Sequence, residues 1–148
     1  MLLARGLAVG LPVGGAADLK VKPKDPKQLA KEAAEQFLKA AKAKNLDGLM
    51  KIADVPWYSD GVVVKDRDEL KQGLEFSLRG TRPPPSEVIR ITTYGEIREL
   101  LKKDRREPAD EVLVKDDLAV FVGQKGKPMG VLFVRVRDGK AKVTGTAE

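Results

Sequence analysis

The chain has 148 residues, 42% apolar and 34% charged, a composition that suits one globular domain and not a disordered chain. It contains no cysteine and no histidine, which excludes disulfides, thiol nucleophiles, iron–sulfur clusters, histidine-dependent triads and nearly every zinc site. Lys and Arg outnumber Asp and Glu by 28 to 22, giving +6 and a pI near 9.5, so an anionic partner has to be weighed.

Residues 1–24 read as a weak export signal or a disordered basic tail. Arg5 supplies a positive charge, Gly6–Val13 is apolar, and Gly15-Ala16-Ala17 resembles a small-residue cleavage site. Gly10 and Pro12 break the apolar stretch, which is too short to span a bilayer that needs about 20 apolar residues. A polar tract over Lys20–Lys27 suits the start of a mature exported domain, so a secreted or periplasmic location is expected, with a cytoplasmic one as the alternative.

The main domain is predicted over 25–148. Asp25-Pro26-Lys27-Gln28 is a helix start, with Asp25 as cap, Pro26 at the first helical position and Gln28 placed to return a bond. Leu29, Ala33, Phe37 and Ala40 recur at helical spacing and predict a long amphipathic helix ending near Lys44-Asn45. Its lysines fall on the opposite side. A short second helix is predicted over Leu46–Ala53, stopped by Pro56.

Trp57-Tyr58-Ser59 and Val62-Val63-Val64 read as two short strands about an Asp60-Gly61 turn. Asp66-Arg67-Asp68-Glu69 repeats the capping-box pattern, and Leu70, Leu74 and Leu78 form one ridge of a third helix that Gly80 and Pro83-Pro84-Pro85 end. Val88–Tyr94, Asp117–Gln124, Met129–Arg137 and Lys140–Thr146 are predicted strands. Between the first two lies an inserted segment, about 95–111, with a short helix carrying Ile97, Leu100 and Leu101. A longer turn is expected over Gln124–Pro128 and a tight Asp138-Gly139 hairpin between the last two strands.

Two stretches resemble a known family. Ala43-Lys44-Asn45-Leu46-Asp47-Gly48-Leu49-Met50-Lys51-Ile52-Ala53-Asp54 resembles the helix junction of the nuclear-transport-factor-two-like superfamily, which has a cystatin-like cone fold. Gly61–Leu70 resembles its second signature, a strand running into a helix start, although Lys65-Asp66 replaces the usual glycine. The inserted segment lies outside the family's minimal pattern. The resemblance covers about Pro26 to Glu148 and implies an α+β fold: a curved antiparallel sheet wrapped around N-terminal helices, forming a cone with a pocket.

The strand Met129–Arg137 carries Val131, Phe133 and Arg135 on one face and Leu132, Val134 and Val136 on the other. Both faces therefore call for burial. If helices cover only one, a homodimer through the sheet covers the second; the alternative is that the inserted segment or the N-terminal tail does so.

Candidate ligand-binding residues are Trp57, Tyr58, Asp60, Tyr94 and Arg135. A desolvated aspartate, Asp54 or Asp60, with a tyrosine donor would be the machinery of a small lyase or isomerase, and Arg135 could hold an anion. Each also has a structural role open to it: Asp54 a helix end, Asp60 the turn itself, Arg135 a cross-strand pair. No catalytic residue, metal site or cofactor is assigned. The leading expectation is a non-catalytic module for a small apolar or anionic ligand or a partner protein, and the lyase or isomerase is the alternative. Aromatics are only 5% and the helix lysines lie on a solvated face, so specific nucleic-acid binding is not expected.

Overall fold

The computed structural model of the chain describes residues 25–80 and 83–148, and the expected export signal or tail at 1–24 lies outside them. The fold is α+β, with N-terminal helices held against a curled, unclosed sheet of six strands.

Helix α1 (Pro26–Lys42) begins where Asp25 accepts a bond from the Lys27 N–H. Gln28 does not return a bond to the cap; its side-chain amide donates instead to Glu32, four residues on. Of the predicted stripe Ala33, Phe37 and Ala40 are buried and Leu29, in the first turn, is half-buried, while Lys27, Lys31, Lys39 and Lys42 are exposed. Asn45 belongs to the next helix, α2 (Leu46–Ile52), whose Gly48 N–H it caps.

Strand β1 (Ala53–Ser59) starts four residues before the expected Trp57 and includes Pro56, which has a cis bond to Val55. Pro56 falls in the stretch where the β1 ladder is interrupted, between Ala53 and Tyr58, as its missing N–H requires. Strand β2 (Val62–Val64) returns through Asp60-Gly61, both at positive φ as a type I′ turn demands. Helix α3 (Arg67–Leu78) buries Leu70 and Leu74, but Asp66 makes no side-chain cap bond.

Strands β3 (Glu87–Thr93), β4 (Leu118–Gln124), β5 (Lys127–Arg137) and β6 (Lys140–Ala147) pair antiparallel in succession. The turn after Gln124 is shorter than expected, two residues with Lys125 and Gly126 at positive φ. The sheet order is β2-β1-β6-β5-β4-β3. The sheet is antiparallel as expected at every joint but one, where β1 lies parallel to β6. That parallel joint docks the helical half of the chain on the last strand and leaves β2 and β3 as the sheet edges.

The sheet has a buried cluster on each face. On the concave face α1 packs across β3 to β6, and Phe37, Leu38, Trp57, Leu70, Leu132 and Val134 share one core. On the convex face Tyr58, Tyr94, Ala119 and Phe133 form a second. The inserted segment covers it: α4 (Tyr94–Ile97), a 3-10 turn over Arg98–Leu100, and α5 (Lys103–Val112), which contributes Ala109 and Val112. The second face is thus closed by the chain itself, so its burial does not require a second copy.

Candidate functional site

Along β1 the side chains alternate, and this alternation sorts the predicted site residues. Trp57 and Ser59 face the helices, whereas Tyr58 points to the convex side. Between the concave face and α3 an open cavity of about 910 Å3 remains. Its walls are apolar: Phe37 and Leu38 from α1, Trp57 from β1, Leu70 and Leu74 from α3, and Leu132 from β5. The Phe37 and Trp57 rings stack, with centroids 6.1 Å apart and planes 25° from parallel.

The mouth is formed by α3, the Pro83–Pro85 segment and the ends of β2 and β6. Phe76 stands there 75% exposed, off the Leu70–Leu74 ridge, and the exposed Val62 also lines the cavity. Charged groups of both signs sit on the rim, Lys42 and Lys44 with Glu69 and Glu148, and all are exposed. Deeper polar groups are Ser59 and Thr146, half-buried, with hydroxyl oxygens 3.5 Å apart.

Of the five predicted ligand residues, only Trp57 lines this cavity. Tyr58 and Tyr94 flank Phe133 edge-on on the other side of the sheet, each with centroids 5.9 Å from it. Burial pushes the Tyr58 hydroxyl pKa up. The Tyr94 pKa is raised further by burial and by donation to the Asp110 carboxylate at 2.6 Å. Asp60 makes the β1–β2 turn, accepts the Glu148 N–H and lies 3.5 Å from Arg105. Arg135 is engaged by Asp117 through two bonds of 3.0 and 2.8 Å and donates also to the Val112 carbonyl. Asp54 accepts its neighbour's N–H and lies 3.6 Å from Arg67.

The cavity wall among the described residues therefore contains neither an aspartate nor a tyrosine, and the acid–donor pair that the lyase or isomerase alternative needs is not assembled there. The cavity is not packed solid either. Phe76 is at the mouth, and Phe133 lies on the far face. Sequence reasoning missed Ser59, Thr146 and the α3 wall as site elements. The signal for Ser59 was its parity with Trp57, two residues apart on one strand.

Similarity to known proteins is slight. No family model matches the chain, and no curated protein does. Among solved structures the chain is similar to a protein of unknown function with a cystatin-like fold from Nostoc punctiforme, at 15% identity and a TM-score of 0.42, over 82% of this chain and 87% of that one. Among the described residues no helix is long and apolar enough to cross a membrane.

Proposed function

We propose that the chain is a non-catalytic binding module of the nuclear-transport-factor-two-like type, which holds a small, mainly apolar molecule between α3 and the concave sheet face. The carrying observation is the cavity of about 910 Å3 with apolar walls among the described residues, at a volume ordinary for ligand sites. Among the described residues Phe76 is 75% exposed at its mouth and adds apolar surface to the lining there. The element order and the motifs at Ala43–Asp54 and Gly61–Leu70 support the family reading.

Trp57 is the single tryptophan and forms part of the wall, so it reports occupancy directly. Titration with the neutral fluorophore phenylnaphthylamine should give saturable energy transfer from Trp57 at one site per chain. Gly73 lines the same cavity from α3, and a Cβ added there meets nothing within 4 Å. The Cβ of Gly73→Phe has room, and a ring added to this part of the lining should weaken the probe at least fivefold. Transfer that fails to saturate, or is the same in Gly73→Phe, overturns the reading.

A further inference from the structure

We infer that the molecule held in this cavity is uncharged and carries one hydroxyl or carbonyl group, which Ser59 and Thr146 bind. This rests on the cavity being a ligand site. Ser59 and Thr146 are register partners across the parallel β1–β6 joint, so both side chains emerge on the same face at the same height. Both line the cavity and both are half-buried.

Their hydroxyl oxygens are 3.5 Å apart, beyond the usual length of an O–H to O bond. The two groups satisfy each other poorly. Each hydroxyl carries one donor and two acceptor positions, so the pair offers an oxygen of a ligand a donor and offers its O–H an acceptor. Both hydroxyls are within reach of water in the free protein, so a ligand oxygen at that height replaces a water bond, whereas a wholly apolar ligand covers the pair without replacing it.

The ionic groups argue against a charged head. Lys42 and Lys44 are on the exposed rim together with Glu69 and Glu148, so among the described residues the rim presents both signs and focuses no single field into the cavity. The arginine that was a candidate anion holder, Arg135, is on the opposite face and already bonded to Asp117. A carboxylate drawn in beside Trp57 would lose hydration without gaining a counter-charge.

Four probes of one chain length decide the matter: octanol, methyl hexyl ketone, octanoate and chlorooctane, each displacing phenylnaphthylamine while Trp57 is read. Chlorooctane leaves water most readily of the four, so the quantity read is the ratio of octanol or ketone affinity to chlorooctane affinity within each protein. In Ser59→Ala combined with Thr146→Val that ratio should fall about threefold to tenfold, the loss of one net neutral hydrogen bond. Octanoate should bind the unaltered protein at least tenfold more weakly than octanol. Ser59→Ala alone, the milder variant, should lower the ratio by half or more. If the ratio is the same in the unaltered protein and the double variant, the inference fails and the apolar site stands. If octanoate is the tightest, the rim lysines govern the head group and the inference fails. If no probe displaces the fluorophore, the inference and the reading beneath it fall together.

Discussion

At the Asp110 carboxylate three donors converge: the Tyr94 hydroxyl at 2.6 Å, and Nε and Nη2 of Arg98 at 2.9 and 2.5 Å. The Arg98 bonds are the main reason its pKa falls to about 2, against 3.8 for an ordinary aspartate. Because the folded value lies below the unfolded one, this contribution is complete above about pH 4 and disappears as the pH falls toward 2. The Arg98 and Asp110 side chains remain 35% and 38% exposed, so water screens the pair. Asp110→Asn should lower stability at neutral pH by on the order of 1 kcal/mol and flatten the acid limb of stability in that window, measured by urea unfolding across pH. Asp117 is a different case, 4% exposed against 18% for Arg135, and it also accepts the Val114 N–H. Asp117→Ala leaves a desolvated guanidinium without its partner and should cost about 3 kcal/mol in the same assay. Arg135 was legible as a residue on the Phe133 face. Its partner was not, because Asp117 reads locally only as the first residue of a predicted strand beside a second acid, and only β4–β5 pairing brings it to Arg135.

Among the elements, those set by local chemistry were readable and those set by distant pairing were not. Asp60-Gly61 and Asp138-Gly139 make the turns their residues favour, and the α1 stripe beyond its first turn is buried as its spacing requires. The capping boxes were over-read: Gln28 and Asp66 have acceptable residue types but bond elsewhere or not at all. Helix α5 was missed because Pro108 sits inside it and its buried stripe is only Ala109 and Val112. The parallel β1–β6 joint has no sequence signal, since it joins segments at opposite ends of the domain. Its geometry does name a sensitive residue. A Cβ on Gly145 would stand 2.6 Å from the Tyr58 carbonyl oxygen, a backbone atom that has little freedom to retreat. Gly145→Ala should destabilise by about 2 kcal/mol or more, visible as a lower melting temperature. Gly73 is the opposite case, a helical glycine in open space, and Gly73→Ala should raise stability by about 0.5–1 kcal/mol in urea unfolding.

For the molecule as a whole, the sheet separates two kinds of surface. One face meets α1 to α3 and keeps a cavity; the other is closed by a segment inserted between β3 and β4. The ends of that insertion lie together, since Tyr94 N–H donates to the Asp117 carbonyl at 2.7 Å and Gly95 N–H to the Lys115 carbonyl at 3.1 Å. Deleting residues 96–114 and joining Gly95 to Lys115 would uncover Phe133, Tyr58 and Ala119. That variant should keep its sheet and its probe binding yet sediment as a dimer or larger species; a clean monomer would contradict this account. The same closed neck has an engineering consequence. Foreign peptide placed at the exposed Leu100 extends a branch whose root is already stapled, so no strand register shifts and nothing near Trp57 is displaced. A display loop or an affinity handle therefore belongs on that branch, where the cargo and the small molecule would occupy opposite sides of one thin wall.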